Sequence, residues 1–123
     1  MVQYADRSLD HVTRLMKNAN IFVDVDLTLV DAQGRLFEGA REALQRLRGE
    51  GCHLFIWSSV GVEYAQKVAR LHGLAELFEG YASKPDIIID DMPSTAQAPF
   101  AYNVHDEKSW PALAERIIEK HVD

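Results

Sequence analysis

The chain has 123 residues, 47% of them hydrophobic and 26% charged, ordinary globular proportions that exclude wholesale disorder and a collagen-like chain. Thirteen basic residues against 19 acidic ones leave a net charge of −6. That balance argues against non-specific nucleic-acid binding and supplies no polybasic membrane anchor. The length allows one core but no second substantial domain, so a single domain over residues 1–123 is expected.

Leu9, Val12, Leu15, Met16 and Ala19 recur at helical spacing, which predicts an amphipathic helix over residues 7–18. Residues 1–20 then form an extension ahead of a core at 21–123. Charges spread through that extension leave no signal-peptide region, no apolar run approaches spanning length, and a cytoplasmic protein is the expectation. Ile21-Phe22-Val23 reads as a strand buried on both faces. A hairpin-like segment at 30–38 leads to a second helix, striped by Ala40, Leu44 and Leu47. His53-Leu54-Phe55-Ile56-Trp57 is a second buried-type strand, following the lone cysteine, Cys52, which excludes an internal disulfide. Tyr64, Val68 and Leu71 mark a third helix, Ile87-Ile88-Ile89 a third strand and residues 101–104 a short fourth strand. Leu113, Ala114, Ile117 and Ile118 stripe a final helix. Strands alternating with helices predict an α/β domain with an open parallel sheet.

The polar residues follow a pattern. The strands end in Asp24-Val25-Asp26-Leu27-Thr28, in Ser58-Ser59 and in Asp90-Asp91. In an open parallel sheet those carboxyl ends share one edge, where ligands bind. Converging carboxylates repel one another unless a cation neutralises them, and Mg²⁺ suits oxygen ligands beside a phosphate. Taken singly, Asp90-Asp91 reads equally well as a turn former, and Ser58 or Ser59 as an N-cap for the helix at 61–72. Asp-x-Asp-x-Thr at a strand end is harder to explain as capping.

IFVDVDLTLV at 21–30 resembles the first motif of the haloacid dehalogenase (HAD) superfamily, LFIWSS at 54–59 its second, and IIIDD at 87–91 its fourth. The stretch WSSVGVEYAQKVARL is also similar to the second-motif region of small protein phosphatases in that superfamily. The resemblance implies a three-layer Rossmann-like core and a Mg²⁺-dependent phosphomonoester hydrolase. By the same resemblance Asp24 is the nucleophile forming an aspartyl-phosphate, and Asp26 the general acid and base. Thr28 orients the loop, and Ser58 holds the phosphoryl group. The metal ligands are Asp24, Asp26, Asp90 and Asp91.

The third motif of that family, a Lys or Arg, is the difficulty. Lys84 lies six residues before Asp90, which at about 3.3 Å per residue puts it roughly 20 Å away at the opposite end of the strand. Residues 73–85 are therefore expected to be mostly a connection beneath the sheet, with Lys84 solvated there. Residues 78–82 as a parallel strand would leave three residues for a crossover, too few. Lys108 or Arg35 is the substitute cation. Neither gap between motifs holds a cap domain, which implies an open site and a phosphorylated substrate that is macromolecular or is covered by another subunit of a homo-oligomer. Two rivals stand beside the hydrolase. One is an inactive HAD-like domain that binds metal, phosphate or a partner. The other is a receiver-like phosphoacceptor, which KPDIIIDDMP locally resembles.

Overall fold

The computed structural model describes residues 16–93 and 98–122. The expected helix at 7–18 falls mostly outside them, and its last residues, 16–18, are non-helical. The elements run β1 (Asn20–Asp24), α1 (Ala40–Gly49), β2 (His53–Ser58), α2 (Val62–Leu71), β3 (Gly80–Ser83), β4 (Ile87–Asp90), β5 (Phe100–Asn103) and α3 (Trp110–His121), with short 3-10 turns at Ala75–Leu77 and Val104–Asp106. Mixed α/β with parallel pairing is the observed class, as the alternating pattern predicts. Among the described residues no helix is long and apolar enough to cross a membrane.

The strands form two sheets. β1, β2 and β3 pair in parallel in that order, and β4 and β5 make a separate parallel pair. Strand alternation sends Leu54, Ile56 and Ser58 to one face of β2, all buried. There they meet Leu44 of α1 and Ala65, Val68 and Ala69 of α2, together with Val25, Leu29 and Val30 from the chain just after β1. Burying a Leu or Ile side chain against such neighbours contributes about 1.5–3 kcal/mol.

The opposite face corrects the expectation of strands buried on both sides. No residue of β1 is fully buried, and Phe22 is 50% exposed. The apolar residues there are aromatic and cover one another: Phe22 stacks on Phe55 at 4.9 Å and meets Trp57 at 5.0 Å. Such aromatic contacts add to area burial. Gly80 pairs with Phe55, and a Cβ on it would stand 2.7 Å from the Phe55 ring.

The connection expected over residues 73–85 is instead a 3-10 turn followed by β3. Leu74 and Phe78 anchor it in the core, 0% and 6% exposed. The short link at 84–86 makes no crossover, because β4 leaves the first sheet and pairs with β5. Around that pair, Phe100 lies 4.3 Å from the His121 ring of α3, and Tyr102 Oη is 2.6 Å from His121 Nε2. Ser109 Oγ accepts the Ala112 N–H and caps α3, the usual service of serine at a helix start.

Leu54 is 0% exposed at the centre of the apolar cluster, so Leu54→Ala is expected to lower stability by about 2–5 kcal/mol. A urea titration checks this, with the midpoint falling and the slope unchanged.

Candidate active site

The site is built where β1, β2 and β3 end. Their register sets Asp24 beside Trp57, and Ser58 beside Ser83. Beyond Asp24 the chain turns tightly: the Val25 carbonyl accepts the N–H groups of Thr28, Leu29 and Val30 at 3.3, 2.8 and 3.1 Å. Val25 itself is 0% exposed, so the turn is bolted to the core from below. Leu27 sits at φ 60°, a left-handed conformation that costs a non-glycine residue about 1–2 kcal/mol. Its N–H donates to the Val30 carbonyl at 2.8 Å, which offsets part of that cost. Asp24, Asp26 and Thr28 all lie on this turn.

Both carboxylate oxygens of Asp24 are engaged. Thr28 Oγ1 donates to Oδ2 at 3.2 Å, and Lys84 Nζ lies 3.1 Å from Oδ1. The ammonium also stands 5.8 Å over the Trp57 ring. Lys84 is thus not a solvated residue beneath the sheet. It is the first residue past the carboxyl end of β3, and its backbone N–H donates to the Ser58 carbonyl at 2.9 Å. The strand-length arithmetic placed it relative to β4, whereas its position is set by β3. Arg35, one expected substitute, is bound within its own turn, its Nε 3.0 Å from Asp31 Oδ2. Lys108, the other, is exposed between β5 and α3 and forms no ion pair among the described residues.

Asp26 receives a hydrogen bond the sequence reading missed. Tyr64 in the first turn of α2 donates its hydroxyl to Asp26 Oδ1 at 2.6 Å. That bond, with some desolvation, raises the Tyr64 phenol above its ordinary value, so the donor keeps its proton. Ser58 is 2% exposed, and its Oγ accepts the Val60 N–H at 3.0 Å, tying it into the turn between β2 and α2. The first N–H of α2, from Val62, is met not by Ser58 or Ser59 but by Ser83 Oγ at 2.9 Å. Tyr64 entered the sequence reading only as part of an apolar stripe. Its hydroxyl, at the head of a helix that follows a strand end, was the available signal.

Asp90 and Asp91 lie at the end of β4, in the other sheet. The Asp91 side chain and the Met92 N–H hold the Asp90 carboxyl below its ordinary range. Among the described residues no group of three or more His, Cys, Asp or Glu side chains gathers in a way that could hold a metal ion. The four acids have the oxygen chemistry Mg²⁺ takes, but the structure assembles only Asp24 and Asp26 on one turn. The chain matches no protein-family model, curated protein or solved structure.

The segment after this turn depends on one carboxylate. Asp31 Oδ1 accepts the N–H groups of Arg35 and Gln33, both at 2.9 Å. The Arg35 backbone bond lowers the Asp31 pKa most; desolvation opposes it, and the Gln33 backbone bond and the Arg35 guanidinium add to the lowering. A carboxyl lowered on folding stabilises fully above its unfolded value, about 3.9. That contribution disappears as pH falls through the lower folded value. Asp31→Asn is therefore expected to reduce the urea midpoint at pH 7 and to flatten its decline between pH 5 and 2, measured beside wild type.

Proposed function

We propose that this chain is a phosphomonoester hydrolase of the haloacid dehalogenase type, with a three-layer Rossmann-like core, working through an aspartyl-phosphate at Asp24. The observation that supports this best is the Asp24 carboxylate held between Lys84 Nζ at 3.1 Å and Thr28 Oγ1 at 3.2 Å, with Asp26 on the same turn. A carboxylate and an ammonium at one sheet edge are the two charges phosphoryl transfer needs: a nucleophile, and a cation to offset repulsion between nucleophile and substrate.

In the first step an Asp24 oxygen attacks phosphorus and the ester P–O bond breaks. The leaving oxygen takes a proton from Asp26. In the second step Asp26 accepts a proton from water, the resulting hydroxide attacks phosphorus, and the Asp24–phosphorus bond breaks to release inorganic phosphate. Lys84 balances the charge that the phosphoryl oxygens bring to Asp24, and Thr28 fixes the plane of the nucleophile. Ser58 is the candidate phosphoryl ligand from β2, with its side chain facing the core and its hydroxyl engaged by Val60.

Mg²⁺ is the cofactor proposed from the acidic strand ends. Asp90 and Asp91 are apart from Asp24 in the strand pairing, the donor set does not fit as it stands, and no step is routed through the ion. That separation favours a second reading, a domain that binds phosphate or a partner without turnover. The chain between the motifs holds no cap, so the substrate is proposed to be a phosphorylated macromolecule or one enclosed by a second subunit.

A phosphatase assay on p-nitrophenyl phosphate with Mg²⁺ separates these readings. Turnover by wild type and background rates for Asp24→Asn are expected; equal rates for the two sink the mechanism, and no turnover across a broad ester panel leaves the binding domain. Lys84→Ala is expected to lower kcat/KM by about 10²–10³, the scale for losing one preorganised electrostatic partner. Chelation by EDTA tests the metal: loss of turnover keeps Mg²⁺ in the proposal, and a rate that survives it removes the ion.

A further inference from the structure

An aspartate on an exposed turn samples several side-chain angles, and a general acid acts only from one of them. Asp26 is such a residue, exposed beyond the end of β1. Its hydrogen-bond partner is Tyr64, whose hydroxyl reaches Oδ1 at 2.6 Å across 38 positions of chain. Tyr64 packs against the apolar cluster while its hydroxyl bonds the exposed Asp26 carboxylate. A hydrogen bond to a charged acceptor is among the stronger kinds, and it restricts the carboxylate it reaches.

The donor is itself held. Ala65, Val68 and Ala69 bury one side of α2 against the sheet and fix its rotation. Ser83 Oγ accepts the Val62 N–H at the helix start, and Ser58 Oγ accepts the Val60 N–H just before it. Gly61 takes φ 140° between them, a backbone region open chiefly to glycine. The head of α2 is thereby pinned to the ends of both β2 and β3, which fixes the backbone from which Tyr64 reaches Asp26.

We propose that Tyr64 is a positioning residue for Asp26: by occupying Oδ1 it fixes the carboxyl plane and leaves Oδ2 as the oxygen that passes the proton to the leaving group. This rests on the hydrolase reading above. The phenol keeps its own proton throughout. Asp26 gives its proton to the ester oxygen as the P–O bond breaks, and recovers one from the water that cleaves the aspartyl-phosphate.

Such a role predicts a dependence on leaving group that a merely structural residue lacks. Aryl phosphates with acidic phenols need little protonation, and alkyl phosphates need it fully. Steady-state kinetics of wild type, Tyr64→Phe, Asp26→Asn and the double variant are compared across esters from p-nitrophenyl to alkyl phosphate, after circular dichroism confirms the fold. Tyr64→Phe is expected to lose about threefold in kcat/KM, which reports the step that expels the leaving group, on p-nitrophenyl phosphate and about thirtyfold on an alkyl phosphate, a part of the 10²–10⁴ that general acid catalysis supplies. Adding it to Asp26→Asn should cost nothing further, since the effect passes through Asp26. A uniform loss across the series, or full additivity in the double variant, overturns the role of Tyr64 while the hydrolase stands. Absence of hydrolysis by wild type on every ester overturns both.

Discussion

The Lys84–Asp24 ion pair exists because three short strands run parallel and end together. Asp24 is level with Trp57, and Ser58 with Ser83, so Lys84, the residue after Ser83, emerges across the end of β2 from Asp24 and its side chain spans that strand over Trp57 to reach it. With both side chains about one-third exposed, the pair contributes little to stability by itself. Its geometry is inherited from backbone hydrogen bonds and from the apolar face of β2 beneath them. Slippage of β3 by one position would turn Lys84 to the other face and leave Asp24 facing a serine.

The supports around that pair come from separate parts of the chain. Val25 anchors the turn that carries Asp24, Asp26 and Thr28, and its carbonyl gathers three N–H groups. Ser83 reaches from β3 to the head of α2. Tyr64 reaches from α2 back to Asp26. The contacts thus link turn, strand and helix around a single rim. Among the described residues no buried side-chain nitrogen or oxygen lacks a partner.

Much of this was legible in the chain. The apolar runs ending in Asp24 and Ser58 are strands, the stripes at Ala40–Leu44 and Val68–Leu71 are helices, and Asp-x-Asp-x-Thr marks the turn, because burial and period leave a local imprint. What depends on pairing between distant segments was not. Residues 80–83, Gly-Tyr-Ala-Ser, are weakly apolar for a strand, and their place beside β2 is set by Leu74 and Phe78 upstream rather than by their own pattern. A strand at 78–82 leaves too short a link for a crossover within one sheet, so the sequence argues against β3 and puts Lys84 at the far end of β4. The partition of the strands into two sheets has no local signature either. The aromatic face of β1 and β2 looked like ordinary burial, since a phenylalanine covered by another phenylalanine reads the same in sequence as one under a helix.

The ammonium of Lys84 lies over the Trp57 ring as well as beside Asp24. An indole's fluorescence responds to charge near its ring, and Trp57 borders the rim while the chain's other tryptophan, Trp110, begins α3. Any anion that draws Lys84 from Asp24 changes the field at Trp57 before any bond is made or broken. The protein thus contains its own optical probe of that event, readable without label or substrate turnover, with Trp110 supplying a background that a single Trp110→Phe substitution removes.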